Sequence, residues 1–148
     1  MTRFAKGQHE FVVVEAIGAT AEAVWDLVGG FNNLPAFDPT SRWSILEAGG
    51  KDRRIGVTGG GEIVERLIHF DEAARTYSYI ITELVGLKFP FENYYSTIVV
   101  REGATPRSCV VDWRGWADVR PDCTLDDVER ELIGIYRGIA DTLKRKFG

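Results

Sequence analysis

The last quarter of the chain constrains the fold more than any other stretch, because it predicts one long amphipathic helix. The segment 123–147 begins with Thr124 and Asp127, a capping-box-like pair that satisfies a free backbone N–H and places a carboxylate at the positive end of the helix dipole. Gly134 and Gly138 lie one turn apart within it, which suggests that something packs closely there. Apolar residues recur at the spacing of one helix face: Leu125, Val128, Leu132, Ile135, Ile139 and Leu143. An apolar face of about six turns must be covered by something large, so we expect the rest of the chain to form a sheet over it.

The upstream sequence predicts that sheet as seven strands. Segments rich in β-branched and aromatic residues alternate with turn signals, and we place strands at 9–17, 42–47, 53–58, 62–70, 76–83, 93–101 and 108–118. Short connections favour antiparallel neighbours, and a sheet of this size can curl around the helix. Two short helical segments are predicted between the first two strands, one capped by Thr20 and one within 31–38 that folds back onto an opening. The predicted fold class is therefore α+β.

Length, charge and composition narrow the classes of function. The 148 residues predict a single domain, 1–148, with a net charge of −4 and no long basic run, which argues against binding to nucleic acid. No apolar run reaches the roughly 18 residues of a membrane span, and the first residues lack the apolar core of a signal peptide, so we expect a cytoplasmic protein. Cys109 and Cys123 have no CxxC spacing or neighbouring His. We therefore predict no metal site and no cofactor.

Three stretches carry a resemblance to known proteins. They are GEIVERL at 61–67, FDEAARTYSY at 70–79 and NYYST at 93–97. Together with the order of elements, they resemble the helix-grip superfamily (START-like, SRPBCC or Bet v 1-like), most closely its polyketide cyclase/dehydrase-type branch and more distantly the plant abscisic acid receptors. The resemblance implies a cavity between the concave face of the sheet and the long helix. It also implies a hydrophobic or amphipathic ligand, such as a lipid, a polyketide or an aromatic metabolite.

The alternation of side chains along strands predicts which residues face that cavity. If Leu67 points inward, Ile63, Glu65 and His69 do so as well. The resemblance to the receptors implies ligand contacts at the positions of Glu65, Tyr94 and Ser96. The predicted ligand-binding residues are Ile63, Glu65, Leu67, Tyr79, Ile81, Tyr94, Ser96, Trp113, Ile135 and Ile139.

Two hypotheses for function follow from these residues. The first is a binding protein without catalytic activity. The second is a cofactor-free cyclase, aromatase or dehydratase, in which Glu65 or His69 acts as general base or acid and Tyr79 or Tyr94 holds an enol oxygen. Glu65 could instead pair with a neighbouring Arg or Lys, and His69 could be a hydrogen-bonded structural residue.

The sequence also departs from the receptors that it resembles. Residues 59–61 are three glycines where the receptor gate has Leu-Pro, and we interpret them as a mobile hairpin at the cavity mouth. Residues 88–90 read Lys-Phe-Pro where the receptor latch has His-Arg-Leu, and no lysine lies between Lys6 and Lys51 to anchor a carboxylate ligand. Binding of abscisic acid is therefore not expected. The apolar loop at 84–91 is predicted to be either a lid or the contact surface of a homodimer.

Overall fold

The computed structural model describes residues 6–148 as seven strands and two α-helices. The strands are β1 (His9–Ile17), β2 (Ser41–Glu47), β3 (Asp52–Val57), β4 (Glu62–Asp71), β5 (Thr76–Val85), β6 (Phe91–Glu102) and β7 (Cys109–Val119). The α-helices are α1 (Ala21–Val28) and α2 (Leu125–Phe147). A 3-10 turn, Leu34–Ala36, lies within the predicted second helical segment, and another, Ala48–Gly50, lies between β2 and β3.

All seven strands form one antiparallel sheet in the order β1-β7-β6-β5-β4-β3-β2. The chain crosses from one edge of the sheet to the other through α1 and returns strand by strand. Helix α2 packs against the concave face, where its buried residues join the core. The predicted α+β helix-grip fold is thus confirmed. Among residues 6–148, no helix is both long and apolar enough to cross a membrane.

Helix α2 begins with the predicted capping box. Asp127 donates its backbone N–H to the Thr124 hydroxyl, and the Asp127 carboxylate accepts the Thr124 N–H at 2.9 Å. Leu125 was expected on the buried apolar face, but it is 44% exposed. Close packing was expected at Gly134, but a side chain there would meet open space. A β-carbon at Gly138 would make only an ordinary contact with Pro39, at 3.4 Å.

The pairing of β4 with β5 corrects the predicted orientation of His69. The register shifts between Leu67 and His69, so that Ile68 is an extra residue and His69 pairs with Ser78. An extra residue reverses the alternation of side chains, so His69 lies exposed on the outer face. Phe70 instead pairs with Tyr77, whose ring it stacks against on the inner face.

The sheet is continuous except between β5 and β6. These strands pair only where Thr76–Ile80 faces Tyr95–Val99, and the rest of β5 pairs with β4 alone within the described part of the chain. On β6 the register with β7 shifts near Asn93, whose backbone takes a positive φ of 55°. The two strands therefore diverge at one end of the sheet and leave a gap there.

Candidate functional site: a cavity with a buried ion pair

A cavity of about 140 Å³ lies between the sheet and α2, at the end where β5 and β6 diverge. Most of its wall is aliphatic or aromatic, formed by Leu34, Ile55, Val57, Ile63, Ile81, Phe89, Phe91, Trp113, Leu132, Ile135 and Ile139. The polar part of the wall is formed by Asp38, Thr40, Ser41, Glu65, Tyr79, Tyr94 and Glu131. An apolar wall with a few polar groups is typical of a small-molecule site.

Most of the predicted ligand-binding residues reach this wall. They are Ile63, Glu65, Tyr79, Ile81, Tyr94, Trp113, Ile135 and Ile139. Leu67 packs against the core outside the cavity. Ser96 is fully buried beneath Trp113, whose indole N–H donates to its hydroxyl at 3.2 Å. A ligand contact for each of these residues stays a prediction.

Glu65 in the polar wall forms an ion pair with an arginine that the sequence analysis did not identify. Arg53 on β3 lies opposite Glu65 on β4, and its Nε and Nη2 approach Oε1 of Glu65 at 2.8 and 2.7 Å. Its Nη1 donates to the Phe31 carbonyl at 2.7 Å, and its guanidinium lies 4.2 Å from the Phe31 ring and 4.8 Å from the Tyr79 ring. Arg53 is 0% exposed.

A signal for this pair was present in the sequence. Arg53 and Arg54 are consecutive in one strand, so one of them must face inward. Arg54 takes the outer face, where it pairs with Glu47 and Glu62 at 3.0 Å each. Both alternatives considered for Glu65 therefore hold, because it lines the cavity and also pairs with an arginine.

Burial controls the ionisation of Glu65. Loss of water raises the pKa of its carboxyl, the charge and hydrogen bond of Arg53 lower it, and the negative charge of Asp38 raises it again. The net pKa lies above the ordinary glutamate value. Both short contacts with Arg53 go to Oε1, and among residues 6–148 no hydrogen bond reaches Oε2. The second oxygen is thus left for whatever occupies the cavity.

Asp38 supplies a second buried carboxylate that the sequence analysis did not select. It follows the 3-10 turn and accepts hydrogen bonds from the Thr40 backbone N–H, the Thr40 hydroxyl and the Ser41 hydroxyl, at 2.9, 2.7 and 3.1 Å. Aspartate side chains at turns commonly accept a hydrogen bond from the backbone N–H two residues further on, as Asp38 does here. The segment at 31–38 therefore closes one side of the cavity, as predicted, and also places a charge in its wall.

Tyrosines complete the polar side of the cavity. The hydroxyls of Tyr94 and Tyr136 lie 2.6 Å apart, and burial raises the pKa of Tyr94 well above its ordinary value. Tyr79 is 4% exposed, burial likewise raises its pKa, and its hydroxyl makes no hydrogen bond within residues 6–148. Gly115 gives Tyr136 its room, since a β-carbon there would lie 2.1 Å from the Tyr136 hydroxyl.

Of the two loops predicted near the cavity mouth, the one at 84–91 contributes residues to the wall, whereas the glycine turn at 59–61 does not, so its position at the mouth stays a prediction. Gly59, Gly60 and Gly61 all have positive φ and form the turn between β3 and β4, and a side chain at Gly61 would collide with Leu87. From the opposite loop, Phe89 stacks on Phe91 with ring centres 4.9 Å apart, and both rings line the cavity. Of the two roles predicted for the loop at 84–91, its aromatic residues thus take the position of a lid.

A second, open pocket of about 470 Å³ lies outside the gap between β5 and β6. It shares four residues with the cavity: Ile81, Phe89, Phe91 and Tyr94. The wall between the two spaces is therefore only one layer of side chains thick.

Comparison with known proteins agrees with this geometry. Residues 8–148 match the family described as "Polyketide cyclase / dehydrase and lipid transport". The chain belongs to this family. A search of curated proteins found no match.

Solved structures share both the fold and part of the sequence. The protein XoxI from Bacillus cereus is 32% identical with a TM-score of 0.90, over 95% of this chain and 96% of that one. A protein from Bacillus thuringiensis is also 32% identical, with a TM-score of 0.88 over 94% of this chain and 98% of that one. The di-domain ARO/CYC protein BexL shares the fold, with 21% identity and a TM-score of 0.76, over 93% of this chain and 46% of its own.

Proposed function

We propose that this protein binds a small hydrophobic or amphipathic molecule in the cavity between the sheet and α2. The observation that carries the proposal is an apolar cavity lined by two largely buried residues, Glu65 and Tyr79, whose Oε2 and hydroxyl make no hydrogen bond within residues 6–148. Both atoms can therefore form hydrogen bonds with a bound molecule. The family, which is described as including lipid transport, agrees with such a role.

The size of the cavity restricts the ligand. Its volume of about 140 Å³ is below the roughly 300–1,000 Å³ of pockets for drug-sized ligands. It is close to that of an engineered apolar cavity of about 150 Å³ that takes up benzene. In this closed form the cavity fits a molecule with one ring or a short chain. A longer lipid or polyketide would require the Phe89–Phe91 lid to move outward.

The first test is native mass spectrometry of freshly purified protein, followed by solvent extraction to identify any bound molecule. Near-stoichiometric retention of a compact apolar or amphipathic compound is the expected result. If no bound molecule is found, the purified protein is screened by thermal shift with single-ring aromatic alcohols and amines. An empty protein that responds to none of these compounds would contradict the proposal.

A matched pair of variants locates the binding. Ile135→Trp adds a large side chain to the cavity wall, so we expect it to reduce ligand affinity at least about tenfold by occupying the space. Ile45→Trp makes the same change at a residue that is 56% exposed and outside the cavity, and should leave affinity unchanged. Equal affinity in both variants would place the ligand elsewhere.

A catalytic role is the second candidate, favoured by the chemistry of Glu65. A carboxyl with a raised pKa and a free oxygen facing an apolar cavity can exchange a proton with a ligand. Tyr79 and Tyr94 lie on the same wall and could hold a developing oxyanion. An enzyme should lose turnover but keep ligand affinity on Glu65→Gln, whereas a binding protein should change only in affinity.

Two further expectations remain predictions. A homodimer was predicted from the loop at 84–91, in which Val85 is 41% exposed while Phe89 and Phe91 face the cavity. A cytoplasmic location is the second expectation. Sedimentation of the purified protein and fractionation of cells would test them.

A further inference from the structure

The charged groups that reach the cavity wall are all carboxylates. Glu65 and Asp38 are buried on the side of the sheet, and Glu131 on α2 is only partly buried at the rim, because it also lines an open outer pocket. Within residues 6–148 no lysine or arginine forms part of this wall. Arg53 is fully buried behind Glu65 and presents no surface to the cavity.

The buried arginine neutralises only one of these carboxylates. Arg53 pairs with Glu65, while Asp38 is held by the uncharged donors of Thr40 and Ser41. Among the described residues, no ion pair involves Asp38 or Glu131. The negative charge of Asp38 contributes to the raised pKa of Glu65, after the larger effect of burial. The cavity thus carries a surplus of negative charge at its polar side.

Among residues 6–148, the fully buried side-chain atoms without a hydrogen bond belong to Arg53, Tyr77 and Arg120, which do not line the cavity. Two atoms of wall residues also make no hydrogen bond, although they are not fully enclosed. Oε2 of Glu65 accepts no hydrogen bond within residues 6–148, although the side chain is only 9% exposed. The Tyr79 hydroxyl also makes none, in a residue that is 4% exposed. A carboxylate oxygen can only accept, and a hydroxyl can both accept and donate. Such a pair is best satisfied by a ligand group rich in N–H donors.

We propose that the ligand carries a protonated amino group on a compact apolar body, and that the cavity discriminates against carboxylic acids. This inference rests on the proposed binding function. An ammonium group has three donors and no acceptor, so it matches Glu65 Oε2 and the Tyr79 hydroxyl and offsets the charge of Asp38. Trp113 and Tyr94 also line the cavity, and aromatic rings can attract a cation. A carboxylate ligand would add a like charge and meet no cation.

Three probes of nearly equal size test this inference: 2-phenylethylamine, 2-phenylethanol and phenylacetate. Their affinities are measured at neutral pH by two-dimensional NMR titration of the full chain, with shifts mapped to residues of the cavity wall. We expect the amine to bind tightest, the alcohol next and the acid weakest, with at least about a tenfold difference between amine and acid. Phenylacetate binding as tightly as the amine would overturn the inference and leave the proposed function standing. If none of the three binds, the inference is wrong, and the proposed function then depends on the molecule that copurifies with the protein.

Variants of the wall carboxylates separate charge from shape. Asp38→Asn keeps the size of the side chain and removes the charge, so it should lower the affinity ratio of amine to alcohol about fivefold. Glu131→Gln should lower the ratio in the same direction, and it lies on a partly exposed position of α2 where folding is not at risk. Glu129→Gln, on the same helix but exposed and outside the cavity, is the matched control and should not change the ratio. An unchanged ratio in both wall variants would overturn the inference.

Discussion

Two buried carboxylates lie on opposite faces of the same sheet and differ in how the protein satisfies them. Glu65 on the concave face has one arginine and one free oxygen. Asp112 on the convex face is 1% exposed, and both of its oxygens are occupied. Arg114 donates to Oδ1 at 2.8 Å and to Oδ2 at 3.1 Å, and Arg101 donates to Oδ2 at 3.0 Å.

The two carboxyls also differ in the direction of their pKa. Burial alone would raise the pKa of Asp112, but the hydrogen bonds from Arg114 and Arg101 outweigh it and hold the pKa below the ordinary value. At Glu65 the loss of water is the larger effect, and the pKa is raised. The arginines of Asp112 keep much of their hydration, with side chains 50% and 40% exposed, whereas Arg53 keeps none. On the convex face, arginines therefore bind both oxygens of Asp112. On the concave face, one oxygen of Glu65 remains available to a ligand.

Removing one partner of the concave pair should have the largest effect on stability. Glu65→Met leaves Arg53 buried without a counter-charge, and an arginine cannot release its proton. Unpaired buried charges cost about 3–5 kcal/mol, which is the expected loss in the free energy of unfolding by urea. Arg53→Met should cost less, because Glu65 can take up a proton instead.

The double variant is the control for this prediction. A buried ion pair replaced on both sides by apolar residues is often neutral or stabilising, so Arg53→Met with Glu65→Met should recover most of the loss. A double variant as unstable as Glu65→Met alone would show that cavity packing, rather than the pairing of charges, sets the effect.

The convex pair should give a smaller effect with the opposite dependence on pH. Asp112→Asn removes the charge that holds two arginines, and we expect a loss of about 2–3 kcal/mol at neutral pH. Because the folded pKa of Asp112 is lowered, its contribution is present above the unfolded value of about 3.9 and is lost as pH falls through the folded pKa. The difference between wild type and Asp112→Asn should therefore shrink in acid.

The contribution of Glu65 to stability has the opposite dependence on pH. The folded pKa of Glu65 is raised, so its contribution to stability is fully present below the unfolded value of about 4.3 and is lost as pH rises towards the folded pKa. In Arg53→Met this loss should be larger, since the counter-charge is gone. Urea unfolding of Arg53→Met near neutrality and near pH 4 checks the sign: a variant that becomes less stable in acid, relative to wild type, would contradict it.

Local patterns in the sequence predicted most of the fold and missed part of the site. Strand alternation, turn signals and the Thr124–Asp127 cap act over a few residues, and they located all seven strands and both α-helices. His69 was misplaced because a single extra residue, Ile68, reverses the alternation, and no local signal marks it. Arg53 was missed because burial of a charge depends on a partner across the sheet, which a hydrophobic pattern does not reveal. The gap between β5 and β6 was missed for the same reason, because strand pairing joins residues that are far apart in the sequence.

The smallest changes in stability are expected from alanine substitutions at two glycines, which test how closely the surroundings of each glycine are packed. Gly115 lies on the concave face, where a β-carbon would be 2.1 Å from the Tyr136 hydroxyl, so Gly115→Ala should push that ring away from Tyr94 and cost about 1–2 kcal/mol. Gly134 is exposed on α2 with nothing within 4 Å of a β-carbon, so Gly134→Ala should stabilise by about 0.5–1 kcal/mol through helix propensity alone. Thermal unfolding of the two variants measures both signs. If Gly115→Ala were neutral, the contact between the Tyr94 and Tyr136 hydroxyls would be free to shift, and the polar wall would not be a fixed frame for Glu65.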